Sequence, residues 1–165
     1  MAFTLLKPTG IDLSQTFAFT GTVSGAGGGK LLQTVQHTFT TEQSYNNTTM
    51  ATSFITGAIT PTSSSSKILV EIKTISSNND TSNSYSQLQI FRGGSGIGNK
   101  IHIDRMYGGD HGAYRYLPVS INYLDSPNTT SATTYALYRY KQGGGSAYLG
   151  INGTQSTLTL MEIGA

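Results

Sequence analysis

From Leu31 to Ile163 the apolar residues recur at every second position in short runs, each closed by a turn-rich stretch. In KILVEIKTIS (67–76) Ile68, Val70 and Ile72 share one side, and in RYLPVSINYL (115–124) Leu117, Val119, Ile121 and Tyr123 do the same. Side chains alternate across a strand, so this period gives each segment one apolar and one polar face. Further runs follow the rule. LLQTVQHTFTT (31–41) aligns Val35, His37 and Phe39, and SFITGAIT (53–60) stops at Pro61. SYSQLQIFR (84–92) offers Leu88 and Ile90, and NKIHIDRMY (99–107) offers Ile101 and Ile103 with His102 and Asp104 opposite. TTYALYRYK (133–141), AYLGI (147–151) and STLTLMEI (156–163) complete the series, the last with Leu158 and Leu160 inward and Thr157 and Thr159 outward.

The linkers between them, among them SSNNDTSN, GGSGIG, GGDHG, DSPNTTSA, QGGG and NGT, carry residues that favour turns. Composition agrees: three Glu stand against 24 Thr, 19 Ser and 10 Tyr, so good helix formers are scarce. Eight to ten short strands predict an all-β fold, an antiparallel jelly-roll-like β-sandwich over residues 30–165. A chain of 165 residues suits one such domain. The four serines of TPTSSSS (60–66) read as a solvated connection into the strand at Lys67.

Residues 1–29 read differently. They hold short β-capable pieces and end in the glycines of GAGGGK (25–30), a hinge signal. Leu5, Leu6, Ile11, Leu13, Phe17 and Phe19 make the segment more apolar than a free tail. The expectation is an extended attachment arm that adds a strand to a neighbouring sheet edge, with Phe17 and Phe19 as anchors.

Several function classes lack their chemistry. Ten scattered Lys and Arg and a net charge of +2 do not make the basic face that nucleic acid requires. No apolar run reaches the roughly 18–20 residues needed to span a bilayer. MAFTLLKPTGIDLSQTF is no secretory signal, so cytoplasmic synthesis is expected. Without cysteine there is no disulfide or thiolate chemistry.

GGSGIGNK (93–100) departs from a phosphate loop, because Asn99 stands where Lys is required and a strand follows; it reads as a hairpin turn. His102, Asp104, Asp110 and His111 form the one compact group of acid–base or metal-ligand types, and polar strand faces produce such groups routinely. No Gly-x-Ser-x-Gly elbow appears, and eight acidic residues are too dispersed for a paired-carboxylate hydrolase. The chain therefore reads as a non-enzyme without cofactor or metal. Eight tyrosines fall between 107 and 148, enough for both cross-strand pairs and an exposed interface. Tyr107, Asp110, His111, Tyr114 and Tyr116 are the candidate interface or glycan contacts.

The serine tract before KILV, the FRGGSGIG turn and the terminal TLTLMEIGA together resemble β-sandwich modules of tailed-bacteriophage virion proteins, especially of cyanobacterial and marine phages. The resemblance spans residues 31–165 in pattern, and IDLSQTFAFTGTVSG (11–25) resembles their attachment segments. It implies a homotrimeric virion protein on the particle's outer surface, with a major capsid protein or a tail or fibre protein as partner. A fibre carries a long repetitive shaft before its tip, and about thirty residues precede this domain. The resemblance thus implies a capsid decoration (cement) protein first, and a tail-fibre knob binding a host glycan second.

Overall fold

The structure, a computed structural model, describes residues 29–79, 84–106 and 115–164. Its strands are β1 (Leu31–Phe39), β2 (Gln43–Tyr45), β3 (Ala51–Ile59), β4 (Lys67–Asn79) and β5 (Ser84–Arg92). They continue with β6 (Ser95–Met106), β7 (Arg115–Asp125), β8 (Thr133–Gln142), β9 (Ser146–Leu149) and β10 (Ser156–Ile163). One sheet, A, runs β1-β10-β4 with β7 on the far side of β4; β9 continues the β10 side of β4, and β2 lies beyond β9. The other sheet, B, runs β3-β8-β5-β6, and every pairing is antiparallel. Leaving aside the short β2 and β9, eight strands remain. In chain order, sheet A takes the first, eighth, third and sixth, and sheet B the second, seventh, fourth and fifth. That order is the double Greek key of a jelly roll.

The two-residue period places the core where alternation predicts. Ile68, Val70 and Ile72 of β4 and Leu158 and Leu160 of β10 are fully buried against Ile55, Leu88, Tyr135 and Leu137 of sheet B. Each such apolar side chain contributes roughly 1.5–3 kcal/mol by leaving water. The 93–100 stretch does turn: Arg92 pairs with Ser95, and Gly93 and Gly94 between them take φ of 54° and 85°. Positive φ at both central residues is the two-residue hairpin geometry that glycine adopts without strain.

Four details depart from the sequence expectation. The first run ends at Phe39, and Gln43–Tyr45 forms a separate short strand against β9, too brief for periodicity to reveal. β4 continues to Asn79, because β7 and β9 give its polar end partners on both sides. Thr159 is buried and accepts a hydrogen bond from Gln36 Nε2 at 3.1 Å, since β10 lies between β1 and β4. The serine tract is only partly solvated: Pro61 and Ser66 are buried, and Thr62 is tied down by a carboxylate described below.

The pairings define two poles. Leu31, Ile163 and Lys67 lie abreast at one end, with Asp125 beside Ile68. Arg92 brings the end of β5 to the same pole through its ion pair with Asp125, at 2.8 Å. Asn78 and Arg115 are paired at the opposite end of sheet A, and Ser84 and Met106 at that end of sheet B.

Candidate interaction surfaces

At the first pole the described chain both begins and ends. Gly29 donates its N–H to the Gly164 carbonyl at 3.2 Å, and Gly164 donates to the Lys30 carbonyl at 2.8 Å. Two polar clusters close this pole. The fully buried Glu162 carboxylate accepts from Gln33 Nε2 at 2.6 Å and from both the backbone N–H and hydroxyl of Thr62 at 2.8 Å. Burial by itself would raise its pKa; the donors on Gln33 and Thr62 outweigh that and hold the carboxyl at about 2. The Ser66 hydroxyl, buried without a hydrogen bond of good geometry, is close enough to add its dipole. The Thr/Ser-rich stretch thus fastens the entry of β4 to the end of β10.

The second cluster joins the sheets. Asp125 of β7 accepts from Arg92 Nη1 at 2.9 and 2.8 Å and from the Tyr135 hydroxyl at 2.7 Å. Burial first, and then the carboxylate beside it, push the Tyr135 phenol well above its ordinary range. No motif marked Arg92, Asp125 and Tyr135 as a group, because β5, β7 and β8 bring them together from separate runs.

At the opposite pole the interior turns polar. Ser76 and Asn78 of sheet A and Ser84, Ser86 and Arg139 of sheet B are all buried there, and Asn78 Nδ2 donates across to Ser84 Oγ at 3.2 Å. Burial lowers the Arg139 pKa, and its guanidinium lies 5.2 Å from the Tyr45 ring centroid. On the outer face above, Tyr116 is 53% exposed. Pairing sets Ser77 between Tyr116 and Tyr148, and the two tyrosines share a shallow cavity of about 210 Å³ with Glu42, Ile151 and Asn152. The backbone N–H of Asn152 donates to Glu42 Oε2 at 2.9 Å.

Tyr116 is the one described member of the sequence-derived contact set. Tyr107, Asp110, His111 and Tyr114 lie outside the described residues, as do Leu5, Leu6, Ile11, Leu13, Phe17 and Phe19 of the arm. His102 is exposed on β6, where its Nε2 meets Gln87 Nε2 at 2.9 Å. Among the described residues no group of three or more His, Asp or Glu is placed to hold a metal. Other tyrosines pair across strands on the outer face of sheet B. Tyr138 stacks on Phe91 at 3.8 Å, and Tyr85 lies 6.0 Å from Tyr140 and 5.3 Å from His102.

A further surface was not visible in the sequence. The exposed large hydrophobics of the described residues are Leu31 and Leu32 on β1 and Tyr116, Tyr123 and Leu124 on β7, the opposite edges of sheet A. Beside β7 the sandwich opens into a groove of about 370 Å³ lined by Ile97, Ile101, Ile121 and Tyr123. Gly98, at φ 65°, lets the Tyr123 ring approach; an added Cβ would stand 2.8 Å from it.

No protein-family model matches the sequence, and no curated protein is similar to it. Among solved structures, the chain is similar to one in "Structure of infectious bursal disease virus Gt strain" at 14% identity and a TM-score of 0.41, covering 82% of this chain and 39% of that one. It is similar to one in "The 2.6A structure of Infectious Bursal Virus Derived T=1 Particles" at 11% identity and a TM-score of 0.41, covering 81% and 39%. Dimeric latent PorU from Porphyromonas gingivalis gives 10% identity and a TM-score of 0.38, over 85% of this chain and 14% of that one. The chain thus spans about two-fifths of the viral chains it matches. Likeness of this degree carries no argument, and the jelly roll rests on the strand order itself.

Proposed function

We propose that this chain is a non-enzymatic virion structural protein of a tailed phage, a homotrimeric capsid decoration (cement) protein on the outer surface. Residues 1–29 form its attachment arm, and residues 30–165 its sandwich. Its partner is a major capsid protein or a tail or fibre protein. It acts through buried area, with no bond made or broken: subunits that bind only the assembled shell stabilise it by mass action.

The separation of the poles carries this reading. The arm joins the domain at Gly29, which is bonded to the last described residue, Gly164. Met106 and Arg115 lie at the other end, with exposed Tyr116 beside Arg115. One end is left for anchoring and the other for the medium. The second reading, a fibre knob that binds a host glycan, is favoured by the Tyr116–Tyr148 cavity with Asn152 and Glu42 at its rim.

Purified chain, whole or lacking residues 1–29, is added to particles stripped of it and the density located by reconstruction. The whole chain is expected at repeated capsid sites, and the truncated chain is expected to remain a soluble trimer that no longer attaches. Density only at fibre positions would favour the second reading. Normal decoration by the truncated chain would remove the arm as anchor.

A further inference from the structure

We infer that the trimer closes through sheet A, the β7 edge of one copy pairing with the β1 edge of the next. This rests on the homotrimer reading and adds the surface that joins the copies. Among the described residues β1 pairs only with β10, and β7 only with β4, so each presents an unpaired row of backbone groups. Such rows invite another strand unless the edge is defended, commonly by charge. These two edges have no such defence. No Lys, Arg, Asp or Glu occurs from Leu31 to Phe39 or from Tyr116 to Leu124, whereas β6, an edge of sheet B, carries exposed Lys100. The charges of β7 stand at its ends, Arg115 and Asp125, and Asp125 is already buried in its ion pair with Arg92, so pairing from Ser120 to Leu124 brings no unpaired charge into the seam.

Direction and level also agree. β1 and β7 run in opposite senses, since each is separated from β4 by antiparallel pairings: β1 through β10, and β7 directly. Rotation about an axis along the strands therefore sets β7 antiparallel to the β1 of the next copy, in a head-to-tail contact that repeats until the ring closes. Thr34 lies abreast of Met161, Met161 of Leu69, and Leu69 of Leu124, so Thr34 and Leu124 share one level. Leu124 stands at that level and Tyr123 one residue farther from the terminal pole, while Leu31 and Leu32 of the next copy stand just nearer that pole, so the seam would gather four of the exposed hydrophobics noted above. Higher on β7, Pro118 has no N–H to donate, and pairing is expected only from Ser120 to Leu124. Gly29 sits at the terminal end of the seam.

The chain has no cysteine, so introduced pairs report cleanly. Thr34→Cys is combined in turn with Ser120→Cys, Asn122→Cys and Leu124→Cys, positions of one face at successive registers. Thr52→Cys with Lys100→Cys, across the edges of sheet B, is the control. Each variant is checked by thermal melt, oxidised, and run on a non-reducing gel beside sedimentation of the reduced protein. The seam predicts that one sheet A pair moves most of the chain into covalent dimer and trimer bands, and that the control and the single variants stay monomeric. A trimer in sedimentation with no sheet A pair linked, or with only the control linked, overturns the seam and leaves the trimer standing. Monomer throughout, in the unmodified chain as well, overturns both.

Discussion

Glu162 offers the sharpest test of how the terminal pole is held. Glu162→Gln keeps the shape of the side chain and changes only charge and hydrogen-bonding sense. The carboxylate accepts three bonds, two from Thr62 on Oε1 and one from Gln33 on Oε2. A glutamine can still accept the Thr62 pair on its carbonyl, but its NH₂ then faces the Gln33 NH₂. Gln33 cannot simply turn over, because the same nitrogen donates to the Thr60 carbonyl at 2.7 Å. One charge-assisted bond is lost and a buried donor left unmet, each worth roughly 1–3 kcal/mol and not strictly additive. The expected loss is about 2–3 kcal/mol at neutral pH. At roughly 3–5 °C per kcal/mol for a domain of this size, the melting midpoint should fall by about 6–15 °C.

The pH dependence makes the test specific. The folded carboxyl titrates at about 2, below its ordinary value of 4.5. Above about pH 5 it is ionised in both states and its stabilisation is complete. As pH falls from 4.5 toward 2 the unfolded chain takes up a proton that the folded chain refuses, and this stability is lost. Urea unfolding of the native chain and of Glu162→Gln at pH 7, 5, 4 and 3 should show the two converging as the pH drops. Equal acid sensitivity in both, or a loss below 0.5 kcal/mol at pH 7, would refute the reasoning.

Leu160→Ala should cost roughly 2–5 kcal/mol by emptying a fully buried site, and Thr159→Ala about 1 kcal/mol for the bond from Gln36. Equal losses in denaturant titration would mean that the inward face of β10 is misassigned. Asp125→Ala should cost about 2–4 kcal/mol, because Tyr135 loses a buried charged acceptor, while Arg92, about one-third exposed, is partly rescued by water. A calorimetric midpoint lowered by less than 3 °C would show that the Arg92–Asp125–Tyr135 cluster does not hold the sheets together.

The alternation of Ile68, Val70 and Ile72, and of Leu158 and Leu160, determined strand identity and the inward face without help from the fold. Side-chain direction in a strand follows from residue parity, which is a local property. The glycine pair after Arg92 was equally legible, since only particular residues adopt its φ angles easily. Partner choice was not legible. Whether Thr159 meets water depends on β10 lying between β1 and β4, strands more than eighty residues away in sequence at their points of pairing. The same holds for Glu162, which reads as one more polar residue until Gln33 and Thr62 arrive around it, and for Asp125, Arg92 and Tyr135. Edge position was hidden as well: LLQTVQHTF and RYLPVSINYL read like the central strands, and only the sheet order makes them the borders of sheet A. Periodicity records which way a side chain points; which surface it then meets depends on long-range pairing, and that decided both the polar clusters at the terminal pole and the two borders of sheet A.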